Sequence, residues 1–313
     1  MGLTNFPHGI SSYGVPVLGG GADPVLGSVF FVDSATGSNG NLGTSKDVPF
    51  ATLDYAIGKC TADKGDTIYV MPNHAETITG VGGITADVAG INIIGIGSYN
   101  NRPRFLMDGA ATVTFVVSAA DVTVRNIVFA SGHSDVATCF DVTGKGLWVD
   151  KCDFVQNTTD ENFLSCISCT GADATADGLK VTNCYMYQID ASTVAFIINT
   201  GDVTGLVATG NVVISEGTGL ATLITCATGK DLKGCCVLWN FLSSKATAGN
   251  LFISNDTASP NNSGIIAHNR VRHADVTTTH IMGAVGGCGF FDNLSTSVDN
   301  LSGFLLPAAD VDS

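Results

Sequence analysis

A short phrase of strand residues around a central polar residue recurs along the chain at a nearly constant spacing. Four copies carry Asn at the centre, at 124–128, 181–185, 267–271 and 291–295. Three further copies, at 149–153, 208–212 and 237–241, carry another residue in that column. From Asn126 to Asn293 the six intervals average about 28 residues, a period typical of solenoids and propellers. A chain with this period buries its apolar residues by stacking successive units on each other.

A second strand signal precedes most copies of the phrase, at 115–117, 140–142, 196–198, 223–225, 252–254 and 281–282. The units vary in length mainly through stretches of Gly, Ser, Thr, Asp and Asn, as expected for a coil whose turns absorb insertions. A leucine-rich repeat would add helical periodicity to every unit, and a propeller blade needs four strands and usually a longer period. The pattern therefore predicts an all-β solenoid, a parallel β-helix.

The central column of the phrase has a physical interpretation as a tight bend between two strands of one coil. Asn tolerates the left-handed backbone conformation that such a bend needs, and Gly accepts it freely. Stacked coils would also bring these amides within hydrogen-bonding distance of one another, as a ladder. Lys151 and Trp239 do not fit, and Asn240 beside Trp239 leaves a one-residue shift of the alignment open. The predicted structural turn column consists of Asn126, Asn183, Gly210, Asn269 and Asn293.

Charged residues make up only 13% of the 313 residues, about half the usual fraction, and the mean hydropathy is positive at +0.30. No apolar run approaches the roughly 18 residues of a membrane span, so we expect no membrane partner. The surplus apolar area favours burial against further copies of the chain, and a homotrimer is the expected assembly. The net charge of −14 and the lack of a basic patch argue against nucleic acid as a partner.

Ten cysteines raise the question of disulfides, thiols or a metal site. The N-terminus lacks the charged and apolar segments of a secretory signal, which predicts synthesis in a reducing compartment and free thiols. Cys152 and Cys184 share a column in neighbouring units, where stacked free thiols are favoured over a disulfide. The C-x-x-C pair Cys166 and Cys169 has no second pair at matching spacing, so it supports a metal or redox site only weakly. We expect neither a metal nor a cofactor.

Residues 1–27 contain Pro and Gly at short intervals and show neither helical nor strand periodicity, which predicts an extended arm. The arm is too apolar for a mere flexible linker. It is therefore expected to become ordered on a partner surface or, alternatively, as a strap on the protein's own body. The residues predicted to make the attachment are Phe6, Pro7, His8, Ile10, Tyr13, Val15, Val17 and Leu18.

The segment after the arm combines a strand at 29–33 with a helix predicted over 49–60. A helix laid over the first coil would cover the unpaired strand row and the open core that a solenoid has at its end. The predicted organisation is an N-terminal attachment arm at 1–27, a small strand-helix cap at 28–60, a parallel β-helix at 61–300 and a C-terminal cap or tail at 301–313.

The chain resembles the pectate-lyase-like right-handed parallel β-helix superfamily over about residues 28–300. The resemblance lies in the order of its segments: a strand, then Pro-Phe-Ala-Thr-Leu-Asp-Tyr-Ala-Ile, then the strand Gly-Asp-Thr-Ile-Tyr-Val, and then Asn-containing coils. With the segment Asn-Phe-Pro-His-Gly at 5–9, the chain is similar to virion proteins of tailed phages that have this fold. The resemblance implies a homotrimeric component of the virion exterior, made in the host cytoplasm. It would be a capsid decoration or cement protein that binds the major capsid protein, or alternatively a tail spike or fibre that binds or cleaves host polysaccharide.

Polysaccharide-cleaving β-helices use several carboxylates on adjacent coils, as Ca²⁺ ligands or as acid and base. No carboxylate pair emerges from the outward columns here, where only Arg125 above Asp150 is a plausible ion pair, expected to be exposed and weak. His74 and Glu76 lie in a turn with no third ligand in view, which disfavours a metal or acid-base role. The chain is therefore predicted not to be an enzyme.

The densest polar cluster in the sequence is His268, Arg270, Arg272, His273 and Asp275. Alternate residues of a strand face opposite ways, so these side chains cannot all converge on one site, and a solvated face is the simpler interpretation. The candidate contact for a glycan or for another subunit consists of His268, Arg270, Arg272 and His273.

Overall fold

The computed structural model describes residues 27–158, 160–190, 192, 194–219, 221–245, 262–273 and 287–297, together with strand segments at 11–12, 15–16 and 253–254. In chain order its strands are β1 (Ser11–Ser12), β2 (Val15–Pro16), β3 (Val29–Val32), β4 (Thr67–Val70), β5 (Ala75–Thr79), β6 (Ile84–Ala86), β7 (Asn92–Gly95), β8 (Arg104–Asp108), β9 (Phe115–Val117), β10 (Thr123–Arg125), β11 (Val128–Ser131), β12 (Phe140–Val142), β13 (Trp148–Asp150), β14 (Asp153–Gln156) and β15 (Ser165–Cys169). They continue with β16 (Lys180–Thr182), β17 (Tyr185–Gln188), β18 (Val194–Asn199), β19 (Val203–Thr204), β20 (Val207–Thr209), β21 (Val212–Ser215), β22 (Ala221–Cys226), β23 (Leu232–Lys233), β24 (Cys235–Leu238), β25 (Phe241–Ser244), β26 (Ile253–Ser254), β27 (Gly264–Ala267), β28 (Arg270–His273), β29 (Cys288–Phe291) and β30 (Leu294–Ser297).

Three long parallel sheets contain most of these strands. In the described part of the chain, sheet I has ten strands in the order β29-β27-β24-β20-β16-β13-β10-β7-β4-β3. Sheet II has nine, β30-β28-β25-β21-β17-β14-β11-β8-β5, and sheet III has seven, β26-β22-β18-β15-β12-β9-β6. Each coil visits sheet I, then sheet II, then sheet III, as β10, β11 and β12 do. Parallel crossovers in one sheet are right-handed, so the fold is the predicted right-handed parallel β-helix.

The strands adopt this register because one column of each sheet is apolar and faces inward. Val124 of β10 lies opposite Ile93 on one side and Val149 on the other, and all three are fully buried. A one-residue slip would turn such a column outward on every coil, so the alternation fixes the pairing.

A stack of phenylalanine rings fills the centre of the coils. Phe105, Phe129 and Phe154 occupy one register position on β8, β11 and β14, with ring centroids 5.8 and 5.9 Å apart. Phe140 of sheet III meets Phe129 edge-on at 4.9 Å, which links the two sheets across the core. Offset and edge-on ring pairs at these distances add to the free energy gained by burial.

The N-terminal cap consists of β3 and a short helix, α1 (Leu53–Ile57), whose Leu53, Ala56 and Ile57 are buried. The helix predicted over 49–60 is therefore shorter than expected. Phe50 instead bridges to Val32 in the parallel sense and donates its N–H to the Phe31 carbonyl at 2.8 Å, which pulls the preceding residues out of the helix. A 3-10 turn follows at Tyr99–Asn101. Neither described helix is long and apolar enough to cross a bilayer.

His74 and Glu76 hold the cap to the first coil. Glu76 Oε2 accepts the N–H of Leu53, the first residue of α1, at 3.0 Å and also lies 3.1 Å from His74 Nε2. His74 Nδ1 accepts the Ser34 N–H at 2.9 Å, so the ring proton is on Nε2 and is donated to the carboxylate. Both nitrogens of this buried ring are therefore occupied, and the pair secures the helix N-terminus.

Both ends of the chain were assigned in the sequence to attachment or capping segments. Ser12 pairs with Val15 in an antiparallel two-strand turn, β1 and β2, within the segment expected to be an extended arm without strands. The other predicted arm residues, Phe6, Pro7, His8, Ile10, Tyr13, Val17 and Leu18, lie outside the described residues, as do the strand signal at 281–282 and the tail at 301–313.

Candidate functional site

The turns between sheet I and sheet II form a column of residues with positive φ. The φ angles are 59° at Asn126, 55° at Lys151, 54° at Asn183, 69° at Gly210, 58° at Trp239, 58° at His268 and 50° at Asp292. We call this set the turn column. The prediction is right for Asn126, Asn183 and Gly210, and Lys151 and Trp239 belong to the column although they did not fit.

The assignment of Asn269 and Asn293 to the turn column was wrong by one residue. These residues follow the turn and point inward, where they join Asn211 and Asn240 in a buried row that we call the amide ladder. Asn211 Nδ2 donates to Asn240 Oδ1 at 2.9 Å, Asn240 Nδ2 to Asn269 Oδ1 at 3.0 Å, and Asn269 Nδ2 to Asn293 Oδ1 at 2.8 Å. The predicted ladder thus exists, but inside the solenoid rather than at the turn.

The inward orientation has a physical cause. Each ladder amide also serves main-chain groups that the turn leaves unpaired: Asn240 Oδ1 accepts the Asn211 N–H, and Asn240 Nδ2 donates to the Ala208 carbonyl. A buried peptide group without a partner is costly, so the amide belongs inside and the left-handed position can hold other residues.

Aromatic residues from three successive coils form an exposed strip near the C-terminal end of the turn column. Trp239 is 59% exposed and its ring stacks on that of His268, with centroids 4.3 Å apart and planes 12° from parallel. Phe291 is 51% exposed and meets the His268 ring edge-on at 5.5 Å. We call Trp239, His268 and Phe291 the aromatic platform.

His268 is held in place by Asp292, whose Oδ2 lies 2.6 Å from His268 Nδ1. A ring fixed on one side by a carboxylate and on one face by an indole has little freedom to rotate. A bulky residue at positive φ is uncommon and costs on the order of 1–3 kcal/mol, and such strain concentrates at functional sites. Trp239 combines this backbone with wide exposure and with stacking on a held ring, which makes the platform the candidate binding surface.

The structure does not bring the predicted polar cluster together. Arg270 and Arg272 are exposed on the outward face of β28, with Arg272 Nη1 3.4 Å from Ser243 Oγ, whereas His268 belongs to the turn column. His273 is the last residue of β28, and Asp275 lies outside the described residues. Among the described residues of that cluster, only His268 belongs to the platform.

The Arg125–Asp150 ion pair is present, but it is buried on the acidic side. Arg125 Nε lies 2.9 Å from Asp150 Oδ2, and the Asp150 side chain is only 3% exposed. Asp150 Oδ1 accepts hydrogen bonds from Thr182 Oγ1 and Asn183 Nδ2. The expectation of an exposed pair was therefore wrong, because the neighbouring turn covers this carboxylate. With its oxygens occupied, Asp150 is a structural group rather than an acid or base.

The cysteines in the described residues are free thiols, and most are buried. Burial raises the pKa of Cys169 to about 12 and raises that of Cys166, so the C-x-x-C pair is held as neutral thiols inside β15. Burial also raises the pKa of Cys152 to about 12. No group of three or more metal-ligating side chains occurs in the part of the chain that the structure describes.

No protein-family model and no curated protein sequence matches this chain. Among solved structures, a rhamnogalacturonan lyase is 15% identical over 86% of this chain and 74% of its own, with a TM-score of 0.45. A GH136 lacto-N-biosidase from Eubacterium ramulus is 11% identical over 86% and 68%, with a TM-score of 0.37. The tailspike protein of E. coli bacteriophage HK620, as a double mutant, is 14% identical over 82% and 60%, with a TM-score of 0.42.

These neighbours are two glycan-processing enzymes and a phage tailspike. The assignment of the fold rests on the strand pairing of the chain itself.

The outward face of sheet II is a second surface of note, because each of six consecutive strands from β8 to β25 carries apolar side chains there, interrupted by Arg104 and Asp108 on β8 and by Asp153 on β14. Its half-buried or exposed apolar side chains are Leu106, Val128, Val155, Tyr185, Tyr187, Val212, Ile214 and Phe241. A contiguous apolar patch of this kind is unusual on a protein that stays monomeric. Asp153 lies within this face, between Val128 and Tyr185, and pairs with Arg102, whereas Arg270 and Arg272 follow on the next strand after β25.

Proposed function

We propose that the chain is a glycan-binding structural protein of the exterior of a tailed-phage particle, and that the aromatic platform is its glycan contact. The observation that carries this proposal is Trp239, an indole held outward at positive φ and stacked on a fixed His268 ring. Aromatic rings bind apolar faces of ligands while leaving polar groups free for hydrogen bonds, which suits a sugar.

Binding rather than cleavage is the activity that this geometry supports. Glycosidases of the usual type place two carboxyl groups on either side of the scissile bond, about 5–10 Å apart. Next to the platform the described carboxylate is Asp292, which is engaged with His268. The platform thus offers a stacking surface with one positioned imidazole.

Replacing Trp239 with Asn is expected to weaken glycan binding at least tenfold, because the stacking surface is lost. Asn already occupies the same turn at Asn126 and Asn183, so the backbone keeps its conformation. Binding would be measured on an array of bacterial capsular polysaccharides and lipopolysaccharide O-chains. A tenfold change corresponds to about 1.4 kcal/mol.

The matched control is Tyr99→Asn, since Tyr99 is another aromatic residue at positive φ, is 90% exposed and lies away from the platform. This variant should bind glycans as the parent protein does. Equal loss in both variants, or no Trp239-dependent signal on the array, would overturn the proposal.

Capsid decoration is the second candidate function, and the apolar composition of residues 1–27 favours it. In this form of the proposal the arm adds buried area across neighbouring copies of the major capsid protein, and three arms per trimer bind with multivalent gain. Assembly would take place in the host cytoplasm, on the outer surface of the capsid. The apolar face of sheet II would be the contact between subunits, since it needs cover that the solenoid itself does not provide.

Deleting residues 1–27 is expected to leave a folded trimer that no longer associates with particles. Association would be measured by cosedimentation with particles that lack this protein, and the trimer by light scattering after size-exclusion chromatography. Glycan binding should be unchanged in the same variant, because the platform lies far along the chain from the arm. Loss of the trimer would make the arm part of the fold, and retained particle binding would place the attachment elsewhere.

A further inference from the structure

The indole of Trp239 has one occupied face and one open face. Its ring centroid lies 4.3 Å from that of His268, close to the spacing of about 4.8 Å between neighbouring strands. The two rings therefore stack along the axis of the solenoid. The second face of Trp239 points the opposite way along the axis, towards the preceding coil and Gly210.

Gly210 is the turn-column residue of that preceding coil, and it leaves a gap where its neighbours have side chains. The turn does not need glycine, since the other six residues of the column carry side chains at similar φ, among them Lys151 and Trp239. A Cβ added at Gly210 would lie only 2.8 Å from Asn183 Oδ1, so the Asn183 amide borders this position closely, whereas no Trp239 atom is among the three heavy atoms nearest to that Cβ. The missing side chain opens a slot that is bounded by Trp239 below and by Asn183 above.

Asn183 presents a fixed acceptor to this slot. Its Nδ2 donates to the buried carboxylate of Asp150 at 3.0 Å, which sets the orientation of the amide and leaves Oδ1 on the Gly210 side. A ring that stacks about 4 Å from the open face of Trp239 would lie at the level of the missing Gly210 side chain. Its edge would then be within reach of Asn183 Oδ1.

The side chains beside the slot carry no charge. Thr209 and Leu238 lie next to Gly210 and Trp239 on sheet I, and Val212 and Phe241 begin the following strands of sheet II. Behind Asn183 lies the buried Asp150 carboxylate, 3.0 Å from Asn183 Nδ2 and paired with Arg125, and Lys151 of the turn column is two coils before Gly210, about 10 Å away at the strand spacing. An anionic sugar would lose water in the slot and would be repelled by the Asp150 carboxylate.

We infer that the Gly210 slot binds one uncharged pyranose residue, with its apolar face on Trp239 and a hydroxyl group donating to Asn183 Oδ1. This inference rests on the proposed glycan-binding function and names the subsite and the class of sugar. The apolar C–H face of a pyranose suits the electron-rich face of an indole, and the hydroxyl would donate to Asn183 Oδ1, to which no group of the described residues donates. A planar nucleobase would also stack, but the net charge of −14 opposes the phosphates attached to it.

The test fills the slot without removing the platform. Gly210→Asn places in the gap a side chain whose backbone conformation this turn already accepts at Asn183. The added Cβ also forces Asn183 Oδ1 away, so the variant both fills the slot and displaces the acceptor. The matched control is Gly234→Asn, since Gly234 also has positive φ, at 63°, and an added Cβ there meets nothing within 4 Å.

Binding would be followed by the fluorescence of Trp239 in full-length protein. The sequence has two Trp residues, so Trp148→Phe makes Trp239 the sole reporter in every variant that keeps Trp239. The probes are three uncharged hexasaccharides, cellohexaose, maltohexaose and β-1,4-galactohexaose, and the anionic hexagalacturonate. Isothermal titration calorimetry gives the affinities, including that of Trp239→Asn.

The expected result is binding of at least one uncharged probe, weakened at least tenfold by Gly210→Asn and by Trp239→Asn and within twofold of the parent in Gly234→Asn. Hexagalacturonate should bind at least tenfold more weakly than the best uncharged probe. Loss of binding in Trp239→Asn alone would overturn the slot and leave the platform as the glycan contact. Unchanged binding in both Gly210→Asn and Trp239→Asn, or no binding of any probe, would overturn the slot. The proposed glycan-binding function would then be decided by the glycan array, where the signal must depend on Trp239. Tighter binding of hexagalacturonate would overturn the assignment to an uncharged sugar.

Discussion

Replacing Asn240 with Ala is expected to lower the free energy of unfolding by about 3–5 kcal/mol, from several lost hydrogen bonds and the groups left unpaired at about 1–3 kcal/mol each. Asn240 is only 1% exposed, and its side chain makes four hydrogen bonds that join three coils. Removing the Asn240 side chain leaves three buried groups without a hydrogen-bond partner. They are the N–H of Asn211, one Nδ2 hydrogen of Asn211 and the Ala208 carbonyl. The loss is large for an amide because three groups of the preceding coil lose their partners at once, while Asn269 Oδ1 of the following coil loses one of its donors.

The measurement is thermal and denaturant unfolding followed by circular dichroism. For a chain of 313 residues the loss corresponds to a fall in Tm of about 5–8 °C. The control is Asn100→Ala at an exposed residue of the 3-10 turn, which should change stability by less than about 0.5 kcal/mol. A fall in Tm no larger than that of the control would show that the ladder adds nothing beyond the main-chain pairing.

Replacing Phe129 with Ala is expected to cost about 3–5 kcal/mol, from lost burial and from the cavity that remains. Phe129 is fully buried and its ring contacts those of Phe105, Phe115, Phe140 and Phe154. The parallel strands on both sides fix the backbone, so the coils cannot collapse into the space. Phe129→Leu keeps most of the volume and should cost roughly half as much or less.

The same unfolding experiments separate this effect from a general sensitivity to apolar truncation. Leu42→Ala, at a side chain that is 75% exposed, should leave Tm within about 1 °C of the parent. If Phe129→Ala and Phe129→Leu had equal and small effects, the phenylalanine stack would have to be loosely packed.

The fold could be predicted from the sequence because a solenoid repeats the same requirement in every coil. An apolar residue must face inward at the same point of each unit, as Val124 and Val149 do, and the period is therefore visible without any alignment. The hydrophobic pattern also located five of the seven described strands of sheet III, namely β9, β12, β18, β22 and β26, but it missed β6 and β15. The shortened helix α1 escaped prediction because the bridge from Phe50 to Val32 is a tertiary contact, which overrides local helical propensity.

The candidate site was predictable only in part. The sequence suggested the turn for Asn126 and Asn183, but it could not tell a left-handed Asn from an inward Asn one residue later, since both occur between two strands. Lys151 and Trp239 depart from the Asn and Gly pattern of the turn column, although the turn keeps its conformation at both positions. Such a departure indicates that the side chain has a role other than forming the turn. Whether one face of Trp239 is open depends on which residue of the preceding coil lies beside it. That residue can be identified only from the register between the two coils, which the sequence alone does not give.

The amide ladder divides the solenoid into two halves with different tolerance for change in length. Each ladder amide accepts from the coil before and donates to the coil after, so this row has a direction, and a coil inserted into it must bring its own inward amide. The same inward position holds Ile127, Cys152 and Cys184 in earlier coils, where successive side chains need only be apolar and of similar size. Gene duplications that add a coil would therefore be accepted readily in the first half, whereas in the second half they would survive only as copies of a coil that already carries the amide.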